Sequence, residues 1–252
     1  MKWVENMNDA IKFKVDGTEV EGKKGEMVLA VLLREGFDIP HLCYHEAVSP
    51  YASCRLCIVE VSRNGRKRIA TSCNHPVMEG IEIQTKTEKI QKLRRITMEL
   101  LLAFAPASKG LQKTAEQMGI KNTRFSALEP HRDCILCGLC ERVCREIVGV
   151  NAISFVSRGG NKLLSPPFME ASEECIACGA CVYVCPSKCI ELIQTDKARI
   201  INRWGRIVAL SSSKKSNIPF APKPQLDYFA KLVGLPSDFF DIAPGERNPQ
   251  HE

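Results

Sequence analysis

The sequence predicts an α+β protein made of two cysteine-rich domains, a helical connector between them and an extended C-terminal tail. Three observations lead to this prediction. An alternating strand pattern opens the chain, an amphipathic helix follows the first group of cysteines, and two matched cysteine runs follow that helix. At 252 residues the chain is long enough for two modest domains and a tail.

The first domain is predicted from a hairpin, a helix and a loop that carries cysteines. Apolar and polar side chains alternate around Asp16-Gly17, which is a hairpin signal, and a short apolar run ends at Gly36, which is a helix stop. The predicted elements are a hairpin over 11–21, a helix over 26–35, and strands over 58–61, 68–73 and 81–83. This order predicts a β-grasp ferredoxin domain over residues 1–84.

Helices are predicted for the connector, residues 85–128. Apolar side chains recur at helical spacing over 86–104, Pro106 ends that pattern, and a second helix is predicted over 109–118. The most apolar stretch is shorter than the 18 or more residues of a membrane span, so no such span is expected.

Twelve of the thirteen cysteines fall into three groups of four. The groups are Cys43, Cys54, Cys57 and Cys73, then Cys134, Cys137, Cys140 and Cys144, then Cys175, Cys178, Cys181 and Cys185. The last two groups share the spacing C-x2-C-x2-C-x3-C, which is typical of two-cluster ferredoxins, and four thiolates also suit a 2Fe–2S centre. The expected cofactors are therefore one 2Fe–2S cluster and two 4Fe–4S clusters.

The two repeated runs predict a double 4Fe–4S ferredoxin domain over residues 129–200. In such domains the fourth cysteine of each run crosses to the other cluster. One predicted ligand set is Cys134, Cys137, Cys140 and Cys185, and the other is Cys175, Cys178, Cys181 and Cys144. Zinc sites usually use two C-x2-C pairs a dozen or more residues apart, so the triplets favour clusters. The spacing of the Cys43 group alone leaves a structural zinc site open.

The remaining cysteine and the histidines are expected not to be cluster ligands. Cys189 is expected to be a buried, inert thiol. The five histidines find no vacant ligand position, and His131, close to Cys134, is the best candidate to tune a cluster.

No G-x-G-x-x-G pattern is present, so no NAD or flavin site is expected. The chain is accordingly predicted to transfer electrons without catalysing a reaction on a substrate.

The net charge and the N-terminal residues indicate which partners and which cell compartment to expect. The net charge is +6, but the densest basic piece, residues 63–68, is predicted as a solvated hairpin tip, so nucleic-acid binding is not expected. The segment Met1–Glu5 is followed by polar residues rather than by the apolar run of a signal sequence, and C-x2-C triplets favour metal binding over disulfides. The expected location is the cytoplasm.

The tail, residues 201–252, has a different composition. Ser211–Ser216 suggests a flexible linker, the prolines at 219–224 suggest an extended segment, and 226–233 suggests a short helix that stops at Gly234. The prediction is an extended arm that docks on a partner subunit. The alternative is a segment that folds back onto its own ferredoxin domain.

Taken together, the motifs resemble a known family over about residues 10–195. The matching segments are Ile39–Cys43, Cys54–Val61, Cys134–Cys137 and Arg142–Ile147. They resemble the N-terminal part of the large peripheral-arm subunit of complex I, the small iron–sulfur diaphorase subunit of NAD-linked hydrogenases, and the N-terminal region of iron-only hydrogenases. The resemblance implies that the Cys43 group is a 2Fe–2S site.

The same resemblance implies an electron-relay subunit of a multi-subunit oxidoreductase. Its expected partners are a flavin/NAD(P)H-binding subunit and a second redox subunit, which could belong to a hydrogenase, a formate dehydrogenase, a ferredoxin-linked enzyme or an electron-bifurcating enzyme. That family typically has a further 4Fe–4S cluster with His/Cys3 ligation, but Leu100–Gly119 contains neither cysteine nor histidine, so this cluster is expected to be missing. The alternatives are an iron–sulfur subunit of the succinate dehydrogenase type and a redox sensor.

Overall fold

The structure is a computed structural model of the chain and describes residues 10–236 and 238–247. The chain divides into two compact units, Met1–Leu139 and Cys140–Glu252. The division falls inside the first cysteine run. Both units combine helices with sheets, which confirms the predicted α+β class.

The first unit contains a five-stranded sheet and one short helix against it. Its elements are β1 (Ala10–Val15), β2 (Thr18–Lys23), α1 (Val28–Arg34), β3 (Ile58–Arg63), β4 (Arg66–Thr71) and β5 (Glu82–Gln84). The strand order is β2-β1-β5-β3-β4, with β1 parallel to β5 and the other pairs antiparallel. The predicted hairpin, helix and strands are therefore confirmed. The basic piece 63–68 spans the end of β3, the β3–β4 turn and the start of β4.

The core of this unit lies between α1 and the sheet. Val28, Leu29, Val31 and Leu32 are fully buried, because the apolar run gives α1 one continuous inner face. Val15 and Ile83, from the parallel pair β1 and β5, are also fully buried. This core fixes the ends of β3 and β4, which carry two of the candidate ligands.

The connector folds as the two predicted helices, α2 (Glu88–Phe104) and α3 (Lys109–Gln117). Thr87 caps α2 by accepting from the Ile90 amide at 3.3 Å, and Ser108 caps α3 by accepting from the Leu111 amide at 3.2 Å. Among the described residues no helix is long and apolar enough to cross a membrane.

The second unit has short helical turns around its cysteines and two antiparallel sheets. The elements are α4 (Leu139–Arg142), a π-helical turn (Val143–Val148), β6 (Ser154–Val156), β7 (Leu163–Ser165), α5 (Ala180–Tyr183), β8 (Leu192–Gln194), β9 (Ala198–Ile201), β10 (Arg206–Ser212), β11 (Pro219–Pro222) and α6 (Lys223–Val233). β6 pairs with β7, and the larger sheet has the order β11-β10-β9-β8. Gly234 ends α6 in the left-handed conformation, as the sequence predicts.

The C-terminal segment differs from the predicted extended arm. Ser211 and Ser212, which the sequence predicted as part of a flexible linker, belong to β10. They pair with Ala221 and Pro219 of β11. α6 packs against β10 and β11, and the Tyr228 hydroxyl donates to the Val148 carbonyl at 2.5 Å. The flexible linker predicted over 211–216 is therefore wrong for Ser211 and Ser212, because a strand partner satisfies the backbone of a polar segment that has no apolar pattern of its own. The short helix predicted over 226–233 is confirmed as α6, and docking of the tail on a partner subunit stays a prediction.

Candidate iron–sulfur sites

The first four cysteines meet at one edge of the β-grasp sheet. Cys43 and Cys54 lie in the long loop between α1 and β3, and Cys57 directly precedes β3. Cys73 lies in the turn Ser72–Asn74 that follows β4. Ile58 of β3 pairs with Thr71 of β4. Cys57, just before Ile58, and Cys73, two positions after Thr71, therefore come together at the ends of these strands. All four are buried, with exposures of 1–3%.

Within this group the thiols form two hydrogen-bonded pairs. Cys43 pairs with Cys54, and Cys57 pairs with Cys73. The Cys54 amide also donates to the Cys43 sulfur at 3.3 Å. A 2Fe–2S cluster with four cysteines gives each of its two irons two thiolates. Two pairs of buried thiols therefore fit such a cluster.

Proton sharing in each pair shifts the thiol pKa values in opposite directions. A hydrogen bond from Cys43 lowers the pKa of Cys54 to about 6, and a hydrogen bond from Cys73 lowers that of Cys57 to about 7. The same bonds, and then burial, raise the pKa values of Cys43 and Cys73. Within each pair one thiol therefore holds its proton more tightly than the other, whereas metal ligands must be deprotonated. Cluster binding is expected to release that proton.

A buried arginine, which the sequence interpretation missed, supports this loop. Arg94 of α2 is 7% exposed and donates to the carbonyls of Leu56 and Ile58, at 3.1 and 2.8 Å. These carbonyls flank Cys57, so the guanidinium anchors the ligand loop to the connector. Burial lowers the Arg94 pKa, and the guanidinium remains charged. A cationic residue four positions from buried Ile90 on the apolar face was the available signal.

The second site lies within the second unit. One cavity is lined by Cys144 together with Cys175, Cys178 and Cys181. The fourth cysteine of the first run is therefore grouped with the first three of the second run, as the crossed pattern requires. The remaining lining is mostly apolar and includes Ile201 and Trp204. This donor set fits a 4Fe–4S cluster, and its ligation remains a prediction.

The backbone conformation that forms these loops recurs in both runs. Leu136 and Ala177 both have φ of +53°, and Gly138 and Gly179 follow with φ of +71° and +82°. In the first run the Leu136 amide donates to the Cys134 sulfur at 3.4 Å. A side chain at Gly179 would also place its Cβ 2.8 Å from Leu192 Cδ1. Gly179 is thus favoured chiefly by its left-handed φ, and a side chain there would also have to displace the end of the Leu192 side chain.

Burial makes the isolated thiolates of the second site unfavourable. It raises the pKa values of Cys144 and Cys175, and it raises that of Cys181 to about 12. Hydrogen bonds partly offset this effect, since the Ala152 amide donates to the Cys144 sulfur at 3.3 Å. Buried thiolates need a positive charge nearby, and iron would supply it.

The other predicted 4Fe–4S ligand set spans the division of the chain. Cys134 and Cys137 belong to the first unit, and Cys140 and Cys185 belong to the second. Their common cluster therefore remains a prediction. Cys185 Sγ lies 3.6 Å from Cys189 Sγ, and a hydrogen bond from Cys189 lowers the pKa of Cys185 to about 6.

Two residues outside the ligand sets differ from expectation. Cys189 is only partly buried, so it is not the fully buried thiol that the sequence suggested. His131 is exposed, whereas His75, two positions after Cys73, is 5% exposed. His75 Nε2 lies 2.9 Å from an Arg68 guanidinium nitrogen, and its Nδ1 lies 2.8 Å from the Pro76 carbonyl oxygen. His75 is therefore the histidine held in place near a candidate ligand.

Comparison with known families agrees with this arrangement. Residues 8–88 match the family described as a 2Fe-2S iron-sulfur cluster binding domain. Residues 133–189 match a 4Fe-4S dicluster domain. Both matches contain the corresponding cysteine groups, and the predicted 2Fe–2S and 4Fe–4S ferredoxin domains are confirmed.

Curated relatives come from several redox complexes. The alpha subunit of the NADPH-Fe(3+) oxidoreductase of Geobacter sulfurreducens is 33% identical over 59% of this chain and 20% of its own length. One subunit of the NADH-quinone oxidoreductase of Rickettsia prowazekii is 32% identical over 59% of this chain and 25% of its own length. The HndD subunit of the NADP-reducing hydrogenase of Solidesulfovibrio fructosivorans is 32% identical over 61% and 31%. The chain thus spans about a fifth to a third of these relatives.

A solved structure is similar as well. A chain of an NAD+-reducing [NiFe]-hydrogenase, crystallised in the H2-reduced state, is 32% identical to this chain and superposes with a TM-score of 0.56. The match covers 62% of this chain and 75% of that chain.

Proposed function

Because the chain belongs to the family of iron–sulfur subunits found in NADH-quinone oxidoreductases and NAD(P)-linked hydrogenases, we propose that it relays electrons within a multi-subunit oxidoreductase. It carries a 2Fe–2S cluster-binding domain and a 4Fe–4S dicluster domain. Such clusters exchange single electrons without a substrate site.

The proposal assigns three clusters to the twelve grouped cysteines. Cys43, Cys54, Cys57 and Cys73 would hold the 2Fe–2S cluster. Cys134, Cys137, Cys140 and Cys185 would hold one 4Fe–4S cluster, and Cys175, Cys178, Cys181 and Cys144 the other. Leu100–Gly119 contains no cysteine or histidine, so no His/Cys3 cluster is included.

One observation carries most of this proposal. Cys144 lies more than thirty positions before Cys175, yet both line one cavity with Cys178 and Cys181. Crossed ligation in two-cluster ferredoxins requires this grouping, whereas a zinc site built from local C-x2-C pairs does not. The two thiol pairs of the Cys43 group support a two-iron cluster in the same way.

The partners follow from the kind of relay. We expect a flavin/NAD(P)H-binding subunit on one side and a second redox subunit on the other. The sequence lacks a G-x-G-x-x-G pattern, so the chain is expected to depend on its partner for the nucleotide reaction. The cytoplasmic location predicted from the sequence belongs to the same proposal.

Cluster content provides the first test. Anaerobic purification followed by iron and sulfide assays should give about ten irons per chain, from one 2Fe–2S and two 4Fe–4S centres. EPR of the dithionite-reduced protein should resolve one signal of the first type and two of the second. Stoichiometric zinc would contradict the assignment, and about fourteen irons would indicate a further 4Fe–4S cluster.

Activity provides the second test. The pure, flavin-free chain should not oxidise NADH or NADPH with a dye acceptor. It should accept electrons once a flavin-containing NAD(P)H dehydrogenase subunit co-purified from the same source is added. Turnover by the chain alone would refute the relay assignment.

A further inference from the structure

The turn between β9 and β10 covers the cavity of the second site. Trp204 lies in this turn, is 4% exposed and lines the cavity together with Ile201. Its Nε1–H donates to the Cys181 sulfur at 3.4 Å. The turn lies beyond residue 189, where the match to the dicluster family ends. It is thus an addition to the cluster-binding core.

Two arginines of the same hairpin hold the cysteine loop from outside. Arg206, the first residue of β10, donates to the carbonyls of Cys175 and Glu173, at 2.9 and 3.3 Å. Arg199 of β9 donates to the Ala177 carbonyl at 3.2 Å. Both guanidinium groups are only partly exposed, so solvent screens them less than it would a fully exposed charge. The hairpin thus brings positive charge to the loop that carries the candidate ligands.

These contacts have a defined electrostatic consequence for a cluster at this site. Reduction adds one electron, and the cluster sulfurs and their cysteine ligands become more negative. Hydrogen-bond donors and positive charges therefore stabilise the reduced state more than the oxidised state. The effect is strengthened where water is excluded, as it is around the buried indole.

We propose that the β9–β10 hairpin raises the reduction potential of the cluster at Cys144, Cys175, Cys178 and Cys181, through the Trp204 N–H and the Arg206 charge. The inference rests on the proposed function, since it requires a redox cluster at this site. Trp204 and Arg206 act here as positioning and tuning residues. The hairpin would make this cluster a more favourable electron acceptor than its cysteines alone would.

Trp204→Phe tests the indole contribution, because it removes the N–H donor and keeps an aromatic ring. The protein is purified anaerobically with all clusters, and each cluster is titrated by EPR against potential. We expect reduction of this one cluster to become about tenfold less favourable, a fall of about 59 mV for one electron. The signals of the other clusters should keep their potentials and serve as internal references.

Asn202→Ala is the matched control in the same turn. Asn202 accepts from the Glu191 amide at 2.9 Å and donates to the Glu191 carboxylate at 3.0 Å, so its loss loosens the turn without removing a donor to sulfur. The potential should stay at the unmodified value. A fall as large as that of Trp204→Phe would show that only turn stability matters and would overturn the inference.

Arg206 gives a second pair of variants that remains decisive if Trp204→Phe fails to hold its cluster. Arg206→Gln keeps a hydrogen-bond donor but removes the charge. It should make reduction of this cluster severalfold less favourable and so lower its potential. Arg206→Lys keeps the charge and should stay close to the unmodified value. An unchanged potential in Arg206→Gln, with cluster content intact, would contradict the charge effect.

The two proposals fail in different ways. If the unmodified chain shows no 4Fe–4S signal, the proposed function is wrong and the inference with it. If the signals are present but neither Trp204→Phe nor Arg206→Gln moves a potential, the relay function stands and the inference is wrong.

Discussion

The Cys43 group is buried by the sheet on which it lies, whereas the Cys175 run is covered largely by a later part of the chain, the turn between β9 and β10. The first group is 1–3% exposed, at the ends of strands β3 and β4. Cys175, Cys178 and Cys181 are partly exposed, and the turn that contains Trp204 covers their cavity. The two sites are therefore protected by different means.

This difference separates the residues that would bind a cluster from the residues that would tune its reduction potential. In the first site, the first compact unit contains the candidate ligands, their buried environment and, on α2 of the connector, the Arg94 anchor. In the second, the cysteine loops supply the ligands, and the β8–β11 sheet supplies donors and positive charge. Changes in the C-terminal sheet are expected to alter the second site and leave the first unaffected.

The largest effect is expected from Cys144→Ser. This change removes one of the four thiolates around the second cavity, so the EPR signal of that cluster should be lost or strongly altered, while the 2Fe–2S signal remains. Cys189→Ser is the control for the signal of this cluster, because Cys189 belongs to no predicted ligand set and contacts Cys185 of the other set. Loss of only the cluster bound by Cys134, Cys137 and Cys140 would contradict the crossed arrangement.

The next effect concerns the anchor of the first site. Arg94→Met removes two hydrogen bonds from a charged donor and leaves the Leu56 and Ile58 carbonyls unpaired, which should lower the free energy of unfolding by about 3 kcal/mol. Denaturant unfolding followed by the visible circular dichroism of the 2Fe–2S cluster measures it.

The neighbouring exposed Arg95 provides the control for that experiment, and Arg95→Met should change stability by less than about 0.5 kcal/mol. The 4Fe–4S signals should be unchanged in both variants. Equal effects of the two substitutions would argue against the buried anchor.

A smaller effect is expected in the loop of the second site. Gly179→Ala places a Cβ at a φ of +82° and 2.8 Å from Leu192 Cδ1, so it should cost about 2 kcal/mol and reduce cluster occupancy. Gly205 also has positive φ but nothing within 4 Å of its Cβ position, so Gly205→Ala reports the conformational cost alone.

The double variant Gly179→Ala, Leu192→Ala then separates the two contributions at that position. It should relieve the contact with residue 179 but retain the backbone strain. Iron content and thermal unfolding measure both. Equal losses in Gly179→Ala and Gly205→Ala would mean that the Leu192 contact is unimportant.

The smallest effect concerns the docking of α6. Tyr228→Phe removes the hydrogen bond to the Val148 carbonyl and should lower stability by about 1 kcal/mol, with faster proteolysis of residues 223–233. Lys231→Gln, on the exposed side of the same helix, is the control. No difference between the two would contradict a contribution of the Tyr228 hydrogen bond to the docking of α6.

Local signals made much of this protein predictable from its sequence. Asp16-Gly17 specifies a tight hairpin turn, and Gly36 and Gly234 follow the helices that they were predicted to end. The repeated C-x2-C-x2-C-x3-C spacing identified the double 4Fe–4S domain, because the first three thiolates of each run lie within a few residues of one another. Each of these features depends on residues close together in the chain.

The features that the sequence did not reveal depend on distant partners. Ser211 and Ser212 are part of a strand because they pair with Ala221 and Pro219 of β11. Arg94 reaches Leu56 across 38 positions, and Trp204 reaches Cys181 across 23. The sequence by itself determined the domain types and the local turns, and it predicted the ligands. Only the tertiary structure decided which buried donors face those ligands, because the partner of a hydrogen bond is not encoded in the periodicity of either segment.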